Sequence, residues 1–219
     1  MNMLSKTILL ACFASTPALL LDAQASARPA ERLRVVTTLP ELADLVERIG
    51  GERVSVEAIC KGRENTHRVV TKPSHLAAVA RADVFVQFGL SLESAFVPGL
   101  LTTARNRRIQ PGGPGFVNVS DGWEAIDVHE DLSRAAGDVH PQGNPHMNLD
   151  PRAPRHAAGI VLDALVGLDA EGADGFRARH AEYLAELSEA EARWSRAGAA
   201  WRGGAVVLYH VEFDYLPAR

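Results

Sequence analysis

The chain of 219 residues carries 23 basic and 27 acidic side chains, a formal net charge of −4. That balance argues against a strongly basic nucleic-acid binder, and no nucleic-acid partner is expected. The length allows one full domain of ordinary size plus some remainder.

The first segment reads as an export signal. Lys6 supplies a short positive start, residues 7–21 (TILLACFASTPALLL) an apolar core, and Ala25-Ser26-Ala27 a small-residue cleavage site. The apolar run is too short for a membrane span. Residues 9–12 (LLAC) also resemble a lipoprotein processing site, but the run continues past Cys12 to Leu21, which favours ordinary cleavage over a lipid anchor. Residues 1–27 are thus assigned as a signal peptide, and the mature chain is expected in the periplasm with Cys60 as its one cysteine, folding on its core without a disulfide.

The rest of the chain alternates strands and helices. Residues 33–38 (LRVVTT) form a β-branched run, followed by Pro40 and apolar positions Leu42, Leu45, Val46 and Ile49 at helical spacing, closed by Gly50-Gly51. A second strand is predicted at 54–59 (VSVEAI), then a polar loop carrying His67. A helix opens at Pro73-Ser74 with Ser74 as its cap, a third strand follows at 83–88 (DVFVQF), a helix at 92–105 in which Pro98-Gly99 introduces a kink, and a weaker strand at 116–119. The pattern predicts an α/β fold, a parallel sheet with helices on both faces and ligands bound beyond the carboxyl ends of its strands.

Residues 121–151 form a long polar connection holding His129, His140 and His146. A helix is predicted at 152–168 and a longer one at 173–201. Phe176, Tyr183, Leu187, Trp194 and Trp201 make a stripe along the second, which would span roughly 40 Å. Gly203-Gly204 ends it, and residues 205–209 (AVVLY) predict a further strand with His210 at its end.

Three of the eight histidines stand apart by their neighbours. His67 follows the second strand, His146 lies in GNPHMNLDP with prolines on both sides, and His210 closes a strand. Neutral imidazoles gathered by a fold make a transition-metal site. Asp150 offers either an acceptor for an imidazole or a cap for the next helix. His75, His156 and His180 read as helix-surface residues. No HExxH, GxSxG or GxxxxGK motif is present, and Gly112-Gly113-Pro114-Gly115 reads as a turn.

Five segments in order, VVTTLPELADLVERIGG, the H-x5-PS of His67 to Ser74, ADVFVQFGLSLE, DVHPQGNPHMNLDP and VVLYHVEFDYL, make the chain resemble the zinc- and manganese-type metal solute-binding receptors of bacterial ABC importers, over residues 33–219. The resemblance implies two α/β lobes joined by a long helix, with metal held in the cleft between them. It divides the chain into a first lobe with its metal loop (28–168), a connecting helix (169–202) and the first strand of a second lobe (203–219) that is mostly missing from this sequence. It assigns His67, His146 and His210 as ligands, with a fourth ligand beyond this sequence; His129 and His140, by their place in the polar connection, read as auxiliary residues that capture metal transiently. Glu64-Asn65-Thr66 departs from the Asp-Pro pair common before the first histidine. Three imidazoles and one oxygen suit Zn²⁺, whereas Mn²⁺ favours more oxygen ligands, so zinc is the expected cargo. The implied function is extracytoplasmic capture of zinc by a monomer that hands it to an ABC permease with its ATPase, without catalysis. The rival readings are an exported zinc hydrolase, with Glu212 as its conceivable base, and a non-functional fragment with an unpaired strand edge.

Overall fold

A computed structural model describes residues 31–62, 64–66, 69–128, 142–205, 207 and 211–216. The segment assigned as a signal peptide lies outside them. Four strands, β1 (Leu33–Thr37), β2 (Val54–Ala58), β3 (Val84–Gln87) and β4 (Phe116–Asn118), form an all-parallel sheet in the order β2-β1-β3-β4. The two inner strands bury consecutive residues (Val35–Thr37 and Val84–Val86), while edge strand β2 alternates inward and outward. That contrast is expected of strands covered on both faces and of an edge strand with one neighbour.

Helices α1 (Pro40–Gly50), α2 (Pro73–Arg81), α3 (Val97–Ala104), α4 (Ala153–Leu168) and α5 (Ala173–Gly198) surround the sheet. The step from β1 to β2 runs one way across the sheet and the step from β2 to β3 runs back over β1. With right-handed crossovers, α1 and α2 must lie on opposite faces. Accordingly α1 packs with α4 and α5, and α2 packs with α3. The expected two-faced parallel sheet is therefore present.

Local chemistry sets the element ends. Pro40 stands at the start of α1, where its missing N–H costs nothing, and Leu42, Leu45, Val46 and Ile49 bury one stripe. The turn into β2 requires glycine twice: a Cβ on Gly50 would lie 2.4 Å from Val54, and Gly51 has φ +57°. The carbonyls left open at this helix end are taken by Arg179 of α5, which donates to Ile49 O (2.7 Å) and Gly50 O (3.1 Å). Arg53 forks onto Asp169 at the entry to α5, and Arg48 pairs with Glu186 along it.

Several predicted features differ. The helix expected from residue 92 begins at Val97, with Pro98 opening it and not kinking it; residues 89–96 form tight turns with Leu90 and Ser91 at φ +50° and +66°. Ser74 lies inside α2, and the end is closed instead by His75, whose Nδ1 accepts the Lys72 N–H at 3.3 Å. His75 is therefore buried and not a surface residue. The stripe on α5 is buried as far as Leu187, just past the middle of the helix: Phe176 and Leu187 are buried, whereas Trp194 and Trp201 are 49% and 80% exposed. The α-helix ends at Gly198 and continues as a 3₁₀ turn, Ala199–Trp201. Of the strand expected at 205–209, Ala205 and Val207 are exposed and not in a strand, and the other three residues lie outside the described ones. Among the described residues no helix is long and apolar enough to cross a membrane.

Candidate metal-binding cleft

The connection leaving β1 goes to one side of the sheet and that leaving β3 to the other, so the carboxyl ends of β1 and β3 flank the switch point where sheets of this kind bind ligands. One carboxylate ties the two ends together. Glu93, 2% exposed, accepts from the Thr38 hydroxyl (2.7 Å) after β1 and from the backbone N–H groups of Phe88 (2.8 Å) and Gly89 (3.0 Å) after β3. Burial pushes its carboxyl above the usual range, opposed by these hydrogen bonds.

Beside this tie opens a cleft of about 450 Å³ whose lining includes Cys60, Glu64, Leu92, His146, Glu212 and Phe213. Cys60 follows β2, and burial pushes its thiol up to about 11, so it faces the cleft protonated at neutral pH. A cavity of similar size, about 420 Å³, opens beside β3 and β4, but Glu93 is the only ionisable group lining it among the described residues, and that carboxylate is already committed.

His146 is 8% exposed, at the start of the short 3₁₀ turn Met147–Leu149 that leads into α4. Its Nδ1 lies 2.9 Å from the side-chain oxygen of Asn144, which also accepts the His146 backbone N–H at 3.1 Å. Asp150, expected either to accept from an imidazole or to cap the helix, accepts the Arg152 N–H at 2.9 Å and holds the same residue's guanidinium at 2.9 and 3.1 Å. Asn144 is an acceptor for the His146 imidazole. An Asn two residues before a His, with Pro between, is an Asx-turn signal that could have pointed to it. Nδ1 bound in this way matches the arrangement of a metal-ligating histidine whose other nitrogen faces the ion.

The remaining candidates distribute unevenly. His67, His129, His140 and His210 lie outside the described residues. Their flanks do not all: Glu64, Asn65 and Thr66, just before His67, and Glu212 and Phe213, just after His210, line the cleft that His146 lines. Glu212 is half-buried and so is not on a fully solvated face. Among the described residues no three His, Cys, Asp or Glu side chains group as a metal cage. His156 stacks edge-on with Trp123 (centroids 5.2 Å apart) and its Nε2 sits 3.0 Å from the Asp121 carbonyl; His180 is half-buried with Nε2 lacking a partner. Neither lines the cleft.

The fold and cleft together define a parallel α/β lobe with a positioned imidazole in a cleft at the carboxyl edge of its sheet. The chain belongs to the family described as zinc-uptake complex component A, periplasmic, whose model matches residues 35–219. It is 31% identical over 161 residues to the manganese-binding lipoprotein MntA of Halalkalibacterium halodurans, covering 74% of this chain and 48% of that protein. The chain thus spans about half the length of that relative. Among solved structures it resembles ZnuA (TM-score 0.70, 20% identity, 86% of this chain and 67% of that one) and Zn(II)-bound AdcA from Streptococcus pneumoniae (TM-score 0.68, 19% identity, 84% and 37%). It also resembles the Mn-bound periplasmic metal-binding protein of Candidatus Liberibacter asiaticus (TM-score 0.56, 21% identity, 70% and 52%). These three likenesses establish the fold.

Proposed function

We propose that this chain belongs to an extracytoplasmic metal receptor that captures Zn²⁺ and delivers it to the permease and ATPase of an ABC importer. The observation that carries the reading is His146, buried at the mouth of the sheet's switch point with Nδ1 held by Asn144, inside a chain matched to a zinc-uptake family over residues 35–219. His67 and His210 complete the proposed ligand set, His129 and His140 assist loading, and the receptor works as a periplasmic monomer without catalysing a reaction. Imidazole ligands favour zinc.

Manganese is the second reading. Glu64 and Glu212 line the same cleft and could add the oxygen ligands that Mn²⁺ prefers, and the relative from Halalkalibacterium halodurans is named for manganese. Equilibrium dialysis against competing Zn²⁺ and Mn²⁺ separates the two. Zinc is expected to be retained, and His146→Ala should weaken it by more than the roughly 10–100-fold typical of losing an outer hydrogen-bond partner. Preferential retention of manganese would overturn the choice of metal, and binding unaffected by His146→Ala would overturn the site.

A further inference from the structure

We propose that Asn144 is the positioning residue of the cleft, fixing the tautomer of His146 and fastening segment 211–215 to the lobe with the same side chain. The inference rests on the reading of His146 as a ligand, and the orientation of one amide carries it. The Asn144 oxygen accepts the backbone N–H of His146 at 3.1 Å, a group that can only donate. Its Nδ2 donates to the Val211 carbonyl at 2.7 Å and to the Asp127 carboxylate at 3.3 Å, groups that accept. Flipping the amide would oppose donor to donor on one side and acceptor to acceptor on the other, so the assignment is fixed by its surroundings.

With the oxygen facing His146, the 2.9 Å contact to Nδ1 requires hydrogen on Nδ1. The lone pair of the neutral ring is therefore on Nε2, the nitrogen that would carry a metal. Asn144 is itself buried, so water does not compete for these bonds, and Pro145 restricts the backbone between the two residues. The second role follows from the other contacts. Val211 accepts from the Asn144 side chain, and the buried Tyr215 hydroxyl donates to the Asn144 carbonyl at 2.7 Å. One residue thus holds the imidazole and grips 211–215 at two points. Metal binding at Nε2 and seating of 211–215 are coupled through it, each favouring the other.

The test uses the full chain. Long-range ¹H–¹⁵N correlation spectra of the metal-free wild type, at about pH 8 where imidazoles are neutral, should show His146 with hydrogen on Nδ1. Asn144→Asp retains an acceptor for the ring and should keep that tautomer. Asn144→Ala should shift it toward the Nε2–H form and weaken Zn²⁺ binding about 10–100-fold in chelator competition. Both variants should speed hydrogen exchange of 211–216, because both lose the donor to Val211. Wild-type His146 carrying hydrogen on Nε2 overturns the proposal even if no variant folds. So does an Asn144→Ala protein that keeps wild-type tautomer and affinity. A wild type that binds no Zn²⁺ yet shows the stated tautomer pattern overturns the receptor reading alone.

Discussion

Glu93 shows how much one buried side chain can organise. Leu90 and Ser91 adopt left-handed backbone angles that cost a residue with a side chain roughly 1–2 kcal/mol each. They persist because the carboxylate two residues further on collects two backbone N–H groups and a hydroxyl from the ends of β3 and β1. Glu93→Ala leaves those donors buried and unpaired and should lower stability by about 2–4 kcal/mol in urea unfolding; a loss below about 0.5 kcal/mol, the range of ordinary surface changes, would show that the turn holds itself. None of this was legible in GLSLE, where Leu and Ser give no sign of positive φ and glutamate at an apolar spacing reads as helix. His146 was legible because its flanking prolines are local. Asn144 was only half legible: the Asn-Pro-His spacing signals the turn, but its grip on Val211 spans 67 residues of sequence.

At the scale of elements, α5 adds to its buried Phe176 and Leu187 a set of polar contacts made where helices begin and end. Arg179 closes the end of α1, and Asp169, just before α5, accepts from Arg53 and from the Gly172 N–H. The Arg53 guanidinium holds the Asp169 carboxyl below its ordinary value of 3.8. A carboxyl lowered by folding stabilises the native state above its unfolded value, and that contribution fades as pH falls through the folded one. Asp169→Asn keeps an acceptor for Gly172 but loses the charge. Its stability deficit relative to wild type should be full at neutral pH and shrink once pH drops below 3.8; a deficit constant across that range would mean the charge is immaterial. The alternation of β-branched runs with helical stripes made the four strands and five helices readable. Their boundaries were not, since His75 and Arg179 close helix ends with groups that sequence reasoning places on the surface.

For the molecule as a whole, cohesion is uneven. The core lies between the sheet and its two helical layers, while all residues from Ala192 through Ala205 are exposed. Backbone hydrogen bonds there are open to water, and amides of 193–201 should exchange orders of magnitude faster than those of β1 and β3 in hydrogen-exchange mass spectrometry. Comparable protection in both regions would mean that something covers the far half of α5 in solution. The stripe of apolar residues placed the start of this helix and overran its α-helical end by three residues. It could not reveal where burial stops, because Trp194 and Trp201 have the same spacing and chemistry as the residues that are covered.

The tie between β1 and β3 has a consequence for how the cleft can work. Thr38, Phe88 and Gly89 are bound to one carboxylate in the core, and the chain neighbours Leu39 and Leu92 line the cleft, so the side of the cleft next to the sheet is held in place by the fold itself. The opposite boundary includes Glu212 and Phe213, on a segment fastened to the lobe through Asn144. Under the proposed receptor reading, substitutions along 211–215 should therefore act on the rate of metal release more than changes to the sheet do.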